Sequence, residues 1–156
     1  MKIVMDTDIL VAGLRSRTGA SRILLQAVGA GVLRPLVSVA VFLEYEDVLT
    51  RPGQMNAMGL NEDEIHAFLD AFLAMSEEVS PFYNHGGIVR DPNDDKFVTA
   101  ALNGMAKAIV TFNVRDYVPR DSRVTGLGIE VCPPGDILRR MSWRPSVTSP
   151  FASLLH

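Results

Sequence analysis

Cysteine occurs once in this chain, at Cys132, and tryptophan once, at Trp143. A single thiol excludes a disulfide framework and any zinc site built from several cysteines. Beside Pro133 it reads as a small buried apolar residue. No apolar run approaches the roughly 20 residues of a membrane-crossing helix. The opening Met1-Lys2-Ile3-Val4-Met5-Asp6 has one basic residue and then a carboxylate, unlike a signal peptide. A cytoplasmic protein with no membrane attachment is therefore expected. No internal repeat is visible. Lysine is scarce, three residues against twelve arginines. Arginine is the better planar fork for phosphate, although a GC-rich coding sequence produces the same ratio.

What remains is 156 residues, 47% hydrophobic and 21% charged, the make-up of one ordinary globular domain. The net charge of -3 speaks against a surface coated in positive charge for nucleic acid. The acids concentrate between residues 40 and 80, where Arg51 is the one basic residue besides His66. Arginines gather before residue 35 and from residue 115 onward.

Ile3-Val4-Met5 is a short apolar run ending at Asp6, the pattern of a buried parallel strand followed by a turn. Apolar residues at helical spacing predict a helix from Gly19 to Gly31, and Gly31 suits its end. Leu33 to Val37 reads as a second strand. Ser38 caps a helix that stops near Arg51-Pro52-Gly53, and Asn61 with Glu64 opens another. Residues 80–87 read as loop. Asp91-Pro92-Asn93-Asp94-Asp95 reads as a turn feeding a helix to Lys107. Strands follow at Ala108–Thr111 and Ile129–Cys132, then a short helix after Pro133-Pro134-Gly135-Asp136. Met55, Met58, Met75 and Met105 read as packing. Strands alternating with helices predict an α/β fold, a parallel sheet covered on both faces.

In such a sheet the carboxyl ends of the strands face one crevice. Asp6 and Asp8 follow strand one, and Asp116 follows the strand at Thr111. An acid ending a buried strand is costly unless compensated, and a hard divalent cation takes oxygen ligands and relieves repulsion between carboxylates. Plainer roles exist: Asp91 suits a turn, while Asp94 and Asp95 suit helix capping and the helix dipole. Periodicity does not choose between Glu44 and Glu46, which border opposite edges of one apolar stripe. Asp8, in a strand-to-turn segment, is expected to point away from Asp6. His66 and His85 lack the setting of metal or acid–base groups.

Four segments together resemble the PIN-domain nucleases, in the branch assigned as toxins of type II toxin–antitoxin pairs. They are Met5-Asp6-Thr7-Asp8-Ile9-Leu10, Phe42-Leu43-Glu44-Tyr45-Glu46 after Ser38, Arg90-Asp91-Pro92-Asn93-Asp94-Asp95-Lys96-Phe97, and Ile109-Val110-Thr111-Phe112-Asn113-Val114-Arg115-Asp116-Tyr117. The resemblance runs from about residue 2 to 141, which implies a nuclease domain over 1–141 and a C-terminal tail over 142–156. It implies a three-layer α/β/α sandwich with a central parallel sheet. The implied activity is cleavage of single-stranded RNA with Mg²⁺ or Mn²⁺. Carried over by position, the acids are Asp6, Glu44, Asp95 and Asp116. Thr7, Ser38, Thr111 and Asn113 are accessory, and Arg15, Arg17, Arg22 and Arg115 are contacts for RNA. A cognate antitoxin and a homodimer are the implied partners. The chain departs from the pattern twice: Asn113 stands where the family usually has an acid, and Asp8 where it usually has asparagine.

Two other readings compete. Asn113 favours a binding module that keeps the fold with a degraded metal site and no catalysis. Asp6-Thr7-Asp8 also has the form of an aspartyl-phosphate phosphatase, but no lysine lies between Lys2 and the Asp94-Asp95 pair, where that chemistry needs one.

Overall fold

The computed structural model describes residues 1–80, 95–117, 126, 128–145 and 151. The expected loop with Asp91, Asp94 and His85, and most of the tail, lie outside the described residues.

Five parallel strands form the centre: β1 (Lys2–Met5), β2 (Arg34–Val37), β3 (Glu77–Glu78), β4 (Ala108–Val110) and β5 (Glu130–Cys132). Their order is β3-β2-β1-β4-β5. In register, Ile3 lies between Pro35 of β2 and Ala108 of β4, and Met5 pairs with Val110. Ile3, Val4, Met5, Ile109 and Val110 are fully buried, which is why these strands read as unbroken apolar runs.

The described helices are α1 (Thr7–Arg15), α2 (Ala20–Gly29), α3 (Val39–Leu49), α4 (Pro52–Met58), α5 (Glu62–Ala74), α6 (Asp95–Gly104), α7 (Val114–Tyr117) and α8 (Pro134–Arg140). Helix α1 packs on α2, and α2 on α8. Helix α6 lies across β1, β2 and β4 and meets α3, which also meets α5. The result is an α/β/α sandwich of three layers. Among the described residues no helix is long and apolar enough to cross a membrane.

The caps follow their sequence signals. Ser38 Oγ accepts from Val41 N at 3.2 Å, and Asn61 Oδ1 from Glu64 N at 2.8 Å. Four expectations fail. The segment after Asp6 is helix α1 rather than a turn, and its Ile9, Leu10 and Leu14 are buried at helical spacing. Pro52-Gly53 opens α4 instead of only ending α3, since proline suits the first helical turn. Helix α6 also ends earlier than expected, at Gly104. The next residue, Met105, takes a left-handed φ of 57° and is exposed rather than packed.

Gly13 permits the α1–α2 contact. A Cβ there would sit 2.6 Å from Leu25 Cδ1 and 3.1 Å from the Ser21 carbonyl oxygen.

Candidate functional site

Strand β1 has β2 on one side and β4 on the other, so the crevice of this sheet opens at the carboxyl end of β1 and β4. Asp6 leaves β1 there. Its amide donates to the Val110 carbonyl at 2.9 Å, which carries the sheet pairing one residue past the strand. It occupies the N-cap position of α1, yet its side chain makes no capping bond. The carboxylate turns across the crevice instead, where Oδ2 accepts from Thr111 Oγ1 at 2.8 Å and from the Tyr117 hydroxyl at 3.1 Å. Burial raises the Asp6 pKa, and these two hydroxyl bonds hold the rise back.

Asp8 faces the same crevice, contrary to expectation. Because α1 begins at Thr7, the backbone winds there instead of extending, and Asp8 comes round toward β4. Its Oδ2 accepts from Phe112 N at 3.0 Å, and from Thr111 Oγ1 and Asn113 Nδ2 at 3.4 Å each. Thr111 thus touches both aspartates. Asp8 Oδ1 is buried with no hydrogen-bond partner among the described residues. Burial, and then the charge of Asp6, push the Asp8 carboxyl up to about 7.

Glu44 reaches this region from α3. Thr7 Oγ1 donates to its Oε2 at 3.3 Å, and Lys96 Nζ stands 3.3 Å from its Oε1. Glu46 turns elsewhere, with its Oε2 3.8 Å from His66 Nε2 of α5. The two acids that periodicity left equivalent therefore have different neighbours. Tyr45, between them, is fully buried and donates its hydroxyl to the Met5 carbonyl. That contact docks α3 onto the end of β1.

Asp95 is the first residue of α6, next to the Lys96 that meets Glu44. Asp116 lies in α7, next to the Tyr117 that meets Asp6, and its amide donates to the Asn113 carbonyl at 3.0 Å. Each is half-buried and one residue from a group touching the site. Ser38 spends its oxygen on the α3 cap. Arg15, Arg17 and Arg115 are exposed. Arg22 corrects the expectation of a solvent-facing contact: it is 7% exposed and donates to the Gly13 carbonyl at 3.1 Å, tying α2 to α1. Tyr117 and Lys96 are the site groups that residue types alone do not mark; Asp8 is marked as an acid after strand one, but its direction is not. An Asp-x-Asp pair read at helical spacing was the one available signal for Asp8.

The donors at this crevice are oxygens, chiefly carboxylate, and one carboxylate oxygen is buried without a donor. That chemistry fits a hard divalent cation. Among the described residues, no three side chains of histidine, cysteine, aspartate or glutamate stand together as a ready ligand cluster.

Comparison with curated proteins finds no match, and comparison with solved structures finds none. The family model described as PIN domain matches residues 2–115. That span holds β1 to β4 and every side chain placed at the crevice except Asp116 and Tyr117, which follow it directly. PIN domains are typically nucleases that act on nucleic acid and generally use divalent metals. By this match over most of its length, the chain belongs to the PIN domain family.

Proposed function

We propose that this chain is a metal-dependent endoribonuclease for single-stranded RNA and the toxin of a toxin–antitoxin pair. One observation carries the reading: Asp6 and Asp8 share Thr111 at the switch point of the sheet, with Asp8 Oδ1 buried and unpartnered. Two carboxylates held this close repel each other, and a counter-cation removes that cost.

Asp6, Glu44, Asp95 and Asp116 would hold Mg²⁺ or Mn²⁺, and Asp8, which shares Thr111 with Asp6, would join them. When bound, such an ion supplies Lewis-acid charge that activates water and offsets the charge developing on phosphorus. The chain's own groups prepare the place. Thr111 and Tyr117 hold Asp6 at the crevice by donating to one oxygen. Thr7 orients Glu44, and Lys96 balances its charge until an ion does so. Asn113 fixes Asp8 from the side of β4 without adding charge. Arg15, Arg17 and Arg115 would steer phosphate to the rim.

The nuclease domain is residues 1–141, with 142–156 as its tail. The expected assembly is a homodimer, the commonest symmetric arrangement, in the cytoplasm with a cognate antitoxin. A second reading, a binding module without catalysis, is favoured by Asn113 alone.

The test is cleavage of a labelled single-stranded RNA with Mn²⁺, Mg²⁺ or chelator by the parent and by Asp6→Asn. Cleavage by the parent is expected to need metal and to vanish in the variant. The metal-free variant should melt no lower than the parent, because Asp8 loses a like-charged neighbour. Equal cleavage by both proteins would mean a contaminating nuclease. Metal binding without any cleavage would favour the module.

A further inference from the structure

The large hydrophobic side chains exposed among the described residues are Met1, Val39, Leu43, Met105 and Phe112. Phe112 is the aromatic one among them, 53% exposed, and it stands at the crevice. Its backbone is held on both sides. The Phe112 amide donates to Asp8 Oδ2 at 3.0 Å, and the next amide, Asn113 N, donates to Thr111 Oγ1 at 3.0 Å. The ring is thus presented to solvent from a fixed turn.

It also lines two hollows. One is a groove of about 530 Å³ that Phe112 shares with Asp8, Arg15 and Gln54. The other is a hollow of about 340 Å³ shared with Asn113, Arg115 and Asp116. Each hollow therefore holds an acid of the proposed site and an arginine. The first also holds an amide, which can pair with a base edge. An exposed aromatic ring that lines two hollows, each with an arginine in its wall, is the chemistry that takes an unpaired base with its flanking phosphates.

We propose that Phe112 is a stacking platform for one unpaired base of single-stranded RNA, seated beside the acids so that the adjoining phosphate lies over them. This deepens the nuclease reading of the same site and rests on it. Stacking on an aromatic face is tolerant of base identity, so Phe112 selects for unpaired strands rather than for a sequence. A duplex, whose bases are already stacked on each other, gains nothing from the ring.

The probe is a short fluorescent single-stranded RNA, with a duplex of the same sequence as control. Affinity is measured in chelator and KM for cleavage in Mn²⁺, for the parent, Phe112→Ala and Phe112→Trp. Phe112→Ala should weaken single-strand affinity, or raise KM, by about 10-fold or more. It should leave duplex affinity and the melting temperature in place. Phe112→Trp should keep single-strand affinity, and its emission should be quenched by the RNA beyond the background of Trp143. Phe112→Ala with unchanged affinity and KM, in a parent that cleaves RNA, overturns this proposal and leaves the nuclease standing. An equal loss on duplex overturns it too, since that marks a general contact. A parent that neither binds nor cleaves RNA brings down both.

Discussion

The two oxygens of the Asp8 carboxylate lead different lives. Oδ2 takes donors from Thr111, Phe112 and Asn113, while Oδ1 is buried with none. In the absence of metal, Asp8 gives up its proton near 7 in the folded chain and near 4 when unfolded. Between these values the folded state holds the extra proton. Its contribution to stability is full below about pH 4 and is lost as pH rises through about 7. In chelator, Asp8→Asn should therefore melt progressively higher than the parent as pH goes from about 5 to about 8. A constant difference across that range would show that Asp8 does not titrate there. Asn113→Asp gives the converse test. Its carboxylate would replace the amide that donates to Asp8 at 3.4 Å. The metal-free protein should melt lower, and the rise in melting temperature on adding Mn²⁺ should exceed the parent's. If Mn²⁺ raises both proteins equally, Asn113 lies outside the metal's reach.

Among the elements, α1 and α4 were hidden for related reasons. Thr7, Asp8, Ile9, Val11 and Gly13 are poor helix formers, so tertiary burial of Ile9, Leu10 and Leu14 outweighs local preference in α1. Pro52-Gly53 ends one helix and opens the next, and the sequence signal shows only the ending. By contrast, α3 and α5 announce themselves through Ser38 and Asn61, whose caps are local. The site divides the same way. Asp6 was legible because it ends a buried run. Glu44 needed its neighbours Thr7 and Lys96, which no local pattern joins to it. Asp8 reads as pointing away because the poor helix formers after Asp6 conceal α1, which turns it toward β4. Two substitutions probe these elements. Gly13→Ala puts a methyl group 2.6 Å from Leu25 and should cost about 1–3 kcal/mol in denaturant unfolding. Met105→Gly relieves a left-handed backbone at φ 57° after α6 and should stabilise by about 1 kcal/mol. An unchanged midpoint in either case would mean that the backbone relaxes there without strain.

At the scale of the molecule, the sheet is closed to neighbours on one side by β3, two glutamates long. Lys2 Nζ holds Glu77 at 2.8 Å, and Arg34 lies 3.7 Å from its other oxygen. A short charged edge resists pairing with a second sheet on that side. The tail is anchored at least at Phe151, 1% exposed, with its ring centroid 6.0 Å from that of Phe68 in α5. Phe151→Ala should cost about 3–5 kcal/mol, read as a lower midpoint in denaturant. A loss well under that would show the contact to be marginal. The pairing of Asp6 with Thr111 spans 105 positions of chain, and chains leave the ribosome N-terminus first. Asp6 and Asp8 emerge among the earliest residues, but Thr111 and Tyr117 emerge only after α1 to α6 and β2 to β4 have passed. A nascent chain therefore carries its acids without the partners that aim them. The crevice is therefore assembled late in synthesis, when β4 docks beside β1 and brings Thr111 to both aspartates.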